Sequence, residues 1–185
     1  MKIKSHAAQN ELTSPFYKAN EDFCIRFENY IASKNGMIKG QYNAWSYLIF
    51  GKFESSKSWD LMYKKSTFSS SGNLLLSSKS QCLLTMATWS TKLYISENSS
   101  FSIRRTKNFD FIRKLFNKNI DTLNQKTGYI INSSRPLSKQ VKNILIALKP
   151  LFDKKIIYEI ELQRNELTIE LRSEEHHFDV LEKIL

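Results

Sequence analysis

Hydrophobic side chains recur with a helical period near the start of this chain and with a period of two near its end. This contrast indicates that both helices and strands are present. Ser14 can cap the first helix, Pro15 suits its first turn, and Asn35-Gly36 favours its end. The apolar face of this helix consists of Phe16, Ala19, Phe23, Cys24, Phe27, Tyr30 and Ile31.

Residues 37–106 show no helical period and are rich in serine, threonine and aromatic residues. Short apolar runs separated by serine-rich turns predict a mainly antiparallel sheet in this segment. We expect Trp45, Trp59 and Trp89 to lie within apolar strands and to build the core. The predicted strands are residues 37–42, 45–53, 58–65, 83–89, 92–96 and 101–105.

Beyond residue 107, hydrophobic side chains recur with the helical period in some segments and with a period of two in others. Asn108 can cap a short helix, and residues 128–132 form a predicted strand. Ser138 precedes a second helix, which Pro150 ends or kinks. At the C-terminus, Ser173 is expected to cap a last helix that exposes its histidines. These histidines are His176 and His177.

The clearest strand signal lies between residues 156 and 171, where apolar and polar residues alternate on both sides of Arg164-Asn165. This pattern predicts a hairpin with one buried face and one wet face. On the first strand, the expected buried residues are Ile156, Tyr158, Ile160 and Leu162. The wet face is expected to hold Glu159, Glu161 and Glu170.

These elements predict an α+β fold. An N-terminal helix precedes a mainly antiparallel sheet in residues 37–106, and a mixed helix–strand–helix–hairpin–helix part follows. A subdomain boundary near residue 107, where the period changes, is the alternative to one continuous domain. Because no linker rich in proline and glycine marks that boundary, we predict a single domain over residues 1–185.

The shortage of glycine, cysteine and histidine excludes many catalytic designs. The five glycines form no phosphate-binding fingerprint. Adjacent residues of a regular helix point about 100° apart, so His176 and His177 cannot share a metal ion there. Sequence distance leaves open a pairing of Cys24 or Cys82 with a histidine, but no motif supports one. We predict no catalytic residue, no cofactor and no metal site. Enzymatic activity stays open, but the lack of a catalytic motif favours a protein that is not an enzyme.

No apolar segment of the sequence is long enough for a transmembrane helix, which needs about 20 apolar residues. No signal-peptide core follows the basic N-terminus. The two cysteines are interpreted as buried free thiols. We therefore expect a cytoplasmic, reducing location.

Basic charge is the remaining signal. The chain carries 28 Lys and Arg against 18 Asp and Glu, a net charge of +10. The excess concentrates in a basic stretch, residues 104–118, where Asp110 is the sole acidic residue. Such a stretch can bind nucleic acid or an anionic membrane surface. Its cations are Arg104, Arg105, Lys107, Arg113, Lys114 and Lys118.

Good core patterning without clustered catalytic groups predicts a small soluble binding or interaction module that has no catalytic activity. A protein is the favoured partner, and a sheet or groove surface is the expected means of contact. The alternative is an electrostatic binder that uses the basic stretch for nucleic acid or anionic lipid. Oligomeric state stays open, because strand edges can mediate self-association as easily as partner binding.

Overall fold

Helices and mostly antiparallel strands make up the computed structural model, which describes residues 3–66, 84–93, 100–107, 120–124 and 128–185. The prediction of an α+β fold is confirmed. The helices are α1 (Pro15–Ser33), α2 (Lys139–Ala147), α3 (Lys149–Asp153) and α4 (Phe178–Leu181), with a 3-10 turn at Gln9–Glu11. The strands are β1 (Lys4–Ser5), β2 (Met37–Tyr42), β3 (Tyr47–Glu54), β4 (Ser58–Ser66), β5 (Leu84–Lys92), β6 (Phe101–Arg105), β7 (Ile120–Asn124), β8 (Tyr129–Ser133), β9 (Ile157–Gln163) and β10 (Glu166–Leu171).

The chain divides into two compact units. Unit 1 comprises Met1–Trp89 and Arg172–His176, and unit 2 comprises Ser90–Leu171 and His177–Leu185. The prediction of a single domain, with residue 107 as the alternative boundary, stays a prediction. None of the described helices combines the length and the apolar composition that crossing a membrane would require.

Helix α1 of unit 1 begins and ends where the sequence indicates. The Ser14 hydroxyl accepts a hydrogen bond from the backbone N–H of Phe16 at 3.3 Å, and Pro15 occupies the first turn. After the helix, Asn35 adopts a left-handed backbone conformation with φ of 54°. The side chains that α1 buries are Asn20, Phe23, Cys24, Phe27 and Ile31.

Strands β1 to β5 follow one another in chain order across the sheet of unit 1. β3 and β4 pair antiparallel through the turn at Ser55, with Phe53 opposite Trp59. Helix α1 packs closely on β3 at Gly51, because a Cβ atom there would lie 2.6 Å from the Ile31 side chain. Only a residue without a side chain allows this approach.

In unit 2 the strand order is β10-β9-β6-β8-β7, so β6 lies between two strands that come later in the chain. The predicted hairpin is present as β9 and β10. Arg164 and Asn165 both have positive φ, at 48° and 66°, which is typical of a tight type I′ turn.

A bulge changes the predicted faces at the start of β9. Glu170 pairs with Glu159, but the next residue, Leu171, pairs with Ile157 and skips Tyr158. Ile157 is therefore buried and Tyr158 is 46% exposed, the reverse of the expected alternation. An extra residue in one strand moves every side chain before it to the other face of the sheet.

Helices α2 and α3 of unit 2 are separated at Leu148, which ends α2 and precedes α3. Ser138, which precedes α2 as predicted, caps the helix by accepting from the backbone N–H of Val141. Pro150 lies in the first turn of α3, where its missing N–H costs nothing. Phe152 of α3 packs edge-on against Tyr129 of β8, with 4.9 Å between ring centroids.

Some predicted elements differ from the structure or lie outside the described residues. The sequence predicts two strands here, 83–89 and 92–96. In the structure a single strand, β5, continues without a break from Leu84 to Lys92. The helix predicted from Asn108 lies outside the described residues. The last helix begins at Phe178, so Ser173 does not cap it and instead accepts from the backbone N–H of Glu175.

Candidate functional site

The structure describes only the first half of the basic stretch. Arg104 ends β6 beside Arg105, and Lys107 follows the strand. Arg105 and Lys107 are exposed, and Arg104 is half-buried. The other three predicted site residues lie outside the described residues. They are Arg113, Lys114 and Lys118.

Two of the described cations, Arg104 and Lys107, lie near carboxylates. Arg104 pairs directly with Glu159 across β6 and β9, and Glu159 pairs with Glu170 across β9 and β10. Burial, followed by the charges of Glu161 and Glu170, raises the pKa of Glu159, whereas Arg104 and Lys107 lower it. Part of the positive charge of the basic stretch is thus offset within its own sheet, which weakens its attraction for phosphates.

A pair of exposed aromatic rings lies in unit 1. Phe16 in the first turn of α1 is 51% exposed, and Trp45 before β3 is 46% exposed. Their ring centroids are 5.8 Å apart and their planes are tilted by 37°. The expectation that Trp45 would join Trp59 and Trp89 in the core is wrong, and Phe16 also lies outside it. We call Phe16 and Trp45 the aromatic surface.

The turn that carries Trp45 is held by a network of hydrogen bonds. The Asn43 side-chain oxygen accepts from the backbone N–H groups of Trp45 and Ser46 at 2.9 and 2.8 Å. From α1, the buried Asn20 donates to the backbone oxygens of Asn43 and Ala44 at 2.9 and 3.1 Å. These bonds fix the turn to the helix that carries Phe16. The signal in the sequence was Asn43, since asparagine often bonds to the backbone two residues later.

A second aromatic pair on α1 and β2 shares a carboxylate. The rings of Tyr17 and Tyr42 lie 5.6 Å apart, and the Tyr42 hydroxyl donates to Glu21 at 3.2 Å. Burial raises the pKa of Tyr42 above its ordinary value, and the neighbouring Tyr17 and Glu21 raise it further. Tyr42 therefore stays a neutral phenol at physiological pH and can serve as a hydrogen-bond donor.

Cys24 is poorly suited to nucleophilic chemistry. It is buried on α1, and burial, with a smaller contribution from Glu28, raises the pKa of its thiol to about 12. The thiolate is the reactive species, so this cysteine is almost wholly unreactive at neutral pH. Cys24 is a free thiol, as interpreted from the sequence, whereas Cys82 lies outside the described residues.

The expectation that His176 and His177 are exposed on a helix is wrong. Both are buried and precede α4, and His177 has a left-handed backbone conformation with φ of 55°. The His176 ring stacks on Phe23, with 3.7 Å between centroids. Sequence patterns in the C-terminal segment gave no signal for this contact, since Phe23 lies on the N-terminal helix.

A buried chain of hydrogen bonds runs beside this stack in unit 1. The Trp89 ring N–H donates to the Tyr63 hydroxyl at 2.9 Å, and that hydroxyl donates to the backbone oxygen of His176 at 2.7 Å. Each group has a protein partner in a fully buried position, so the chain stabilises the core and leaves no reactive group exposed.

Within the described residues, no three or more His, Cys, Asp or Glu side chains converge to hold a metal ion. Comparison with protein-family models, with curated proteins and with solved structures returns no match.

Proposed function

We propose that this chain is a small, non-catalytic binding module that acts in the cytoplasm and binds a protein partner through the aromatic surface. The observation that carries the proposal is the pairing of Phe16 and Trp45, two large rings that are half exposed although more than half of the aromatic residues that the structure describes are buried. Rings left in water add nothing to the stability of the folded chain. Covering them with a partner removes apolar surface from water and stabilises the complex.

The rigidity of this surface supports the same function. Tryptophan and other aromatic residues contribute a large share of binding energy at protein interfaces, because they bury much apolar area with few rotatable bonds. The hydrogen bonds of Asn43 and Asn20 hold Trp45 in place before any partner arrives. Binding then requires little additional ordering, and more of the contact energy remains as affinity.

Charge around the aromatic surface suggests the chemistry of the partner. Lys18, in the next half-turn of α1, is paired with Glu21 and Asp22 at 3.0 Å each. Since these three charges sum to only −1, the partner does not need a strongly charged surface. We infer that it offers an apolar pocket with a polar rim, the usual arrangement at protein interfaces.

The test places a photoreactive phenylalanine analogue at position 45 of the full chain in its native cells. A cross-linked protein is identified, purified and titrated with the unmodified chain and with two variants, Phe16→Ser and Trp45→Ser. Each substitution is expected to weaken binding about tenfold or more, as truncated interface aromatics do. Because both rings are half exposed, neither change should unfold the chain.

Tyr158→Ser is the matched control, since Tyr158 is an aromatic residue of unit 2 with the same 46% exposure as Trp45. It should bind the partner as the unmodified chain does. Equal affinity of Trp45→Ser and the unmodified chain contradicts the proposal. So does turnover of any substrate that a single point substitution abolishes.

The competing function is electrostatic binding of nucleic acid or an anionic membrane surface by the basic stretch. Glu159 offsets part of its charge, which favours the aromatic surface instead. A salt titration with DNA, RNA and anionic vesicles separates the two functions. Binding at low salt that Arg105→Glu combined with Lys114→Glu removes would replace our proposal with this one.

A further inference from the structure

An open cavity lies on the polar face of the unit 2 sheet. Its volume is about 410 Å³, within the range of about 300–1,000 Å³ that is typical of small-molecule sites. Strands β6, β8 and β9 form its floor, and most of the side chains around it are polar.

Strand register arranges these side chains in two rows. Ser102 pairs with Asn132 on β8 and with Glu161 on β9, so three polar groups lie side by side across adjacent strands. Adjacent strands are about 4.8 Å apart, and the row therefore spans about 10 Å. One step along the same face, a second row follows. It consists of Ser134, Ser100 and Gln163.

The hydrogen-bonding capacity of the first row is largely unused by the described part of the chain. Within those residues, the Ser102 hydroxyl and the Asn132 side-chain amide have no hydrogen-bond partner. Glu161 accepts from the Gln163 side chain and has no cationic partner there. A hydroxyl and an amide can each donate and accept, whereas a carboxylate only accepts. The row is thus complementary to a ligand that has hydroxyl groups and a positively charged donor.

The surroundings of the cavity favour a cation over an anion. Glu159, one step from Glu161 on the same face of β9, and Glu170 opposite it add negative charge beside the first row. Burial is the largest cause of the raised pKa of Glu159, and repulsion by Glu161 and Glu170 adds to it. Arg104 and Lys107 offset this charge only in part, since two cations stand against the three carboxylates Glu159, Glu161 and Glu170.

We propose that this cavity binds a small organic ammonium ion that carries hydroxyl groups, with Glu161 contacting the ammonium group and Ser102 and Asn132 bonding the hydroxyls. The site lies in unit 2, whereas the aromatic surface lies in unit 1. It therefore does not depend on the proposed protein partner, and each can fail without the other.

Glucosamine and glucose are the probes, because they differ by one ammonium group in place of a hydroxyl. Each is titrated into the isotope-labelled full chain at slightly acidic pH, where the amine is protonated, and backbone amide shifts of β6, β8 and β9 are followed by NMR. Charge-assisted hydrogen bonds are the stronger kind, so glucosamine should bind about three- to tenfold more tightly than glucose. Added salt should reduce this preference.

Three variants test the assignment. Glu161→Gln should remove the preference for glucosamine, and Asn132→Asp should increase it by adding a second carboxylate at an exposed position. Glu54→Gln, which removes the same charge from unit 1, should leave both titrations unchanged. Thermal unfolding confirms that each variant is folded. Equal binding of the two sugars, no saturable shifts with either, or an unchanged preference in Glu161→Gln would overturn the proposal.

Discussion

The two units build their cores from different side chains. The core of unit 1 is aromatic and includes Phe23, Phe27, Tyr47, Trp59, Tyr63 and Trp89. That of unit 2 is mainly branched and aliphatic and includes Ile103, Ile157, Ile160, Leu162, Leu167 and Ile169. Aromatic rings prefer particular mutual geometries, and their polar atoms need partners when buried. Aliphatic side chains need only matching volume and the correct face of the sheet. Unit 1 should therefore be the less tolerant of substitution.

The largest effect is expected for Phe27→Ala in unit 1. Phe27 is fully buried and packs edge-on against Tyr63, so truncation should cost about 3–5 kcal/mol of the free energy of unfolding. All three tryptophans belong to unit 1, and their fluorescence during denaturant unfolding reports on this unit.

Ile160→Val in unit 2 is the comparison for that substitution. Losing one buried methyl group should cost about 0.5–1.5 kcal/mol, measured from methyl NMR signals of unit 2 during the same titration. A cost for Phe27→Ala no larger than that for Ile160→Val would break the contrast between the two cores.

An intermediate effect is expected for Tyr63→Phe, with Tyr129→Phe as its counterpart in unit 2. The Tyr63 hydroxyl has two buried partners, the Trp89 ring N–H and the His176 backbone oxygen. The Tyr129 hydroxyl has one, the backbone oxygen of Ile157 at 2.7 Å. Each buried group left without a partner costs about 1–3 kcal/mol, so Tyr63→Phe should be the more destabilising. Equal unfolding midpoints for the two variants would show that the buried polar atoms of unit 1 do not make its core more sensitive to substitution than that of unit 2.

The smallest effect concerns the charged face of unit 2. The raised pKa of Glu159 means that the folded chain holds this proton more tightly than the unfolded chain does. The contribution of Glu159 to the free energy of unfolding is fully present below its ordinary pKa of 4.5. It is lost as pH rises through the higher pKa that the group has in the folded chain. Glu159→Gln, which is always neutral, should therefore stabilise the chain at neutral pH by about 0.2–1 kcal/mol.

This stabilisation should shrink as pH falls through the raised pKa of Glu159 in the folded chain, and it should be absent below 4.5, where the native glutamate is neutral in both states. Thermal unfolding across a pH series measures the difference. Glu54→Gln in unit 1 is the control and should show no such trend. A gain from Glu159→Gln that does not vary with pH would point to better packing by the amide and away from charge.

Several elements follow from local sequence alone. Ser14, Pro15 and the spacing of Phe23, Phe27 and Ile31 determine the position and the buried face of α1. Strand β2 has the predicted bounds, and Trp59, Leu61 and Tyr63 of β4 are buried as their alternation indicates. These features depend on the dihedral preferences and periodicity of one element, which a single stretch of sequence contains.

The candidate site residues were less predictable. The sequence pattern puts Trp45 at the start of a predicted apolar strand, yet the hydrogen bonds of Asn43 and the buried Asn20 place it on the surface. For the cavity, the sequence indicates that Glu161 lies on a polar face. It does not indicate that Ser102 and Asn132 lie beside it, because they belong to strands separated by many residues.

What the sequence determined by itself is the α+β class, the bounds of α1 and β2, and the alternation that builds the hairpin of β9 and β10. Tertiary structure alone decided the burial of His176 against Phe23, the bulge that exposes Tyr158, and the placement of β6 between β8 and β9. The physical reason is that periodicity describes the two faces of one element. The partners that cover those faces depend on contacts between distant segments, and these form only when the chain folds.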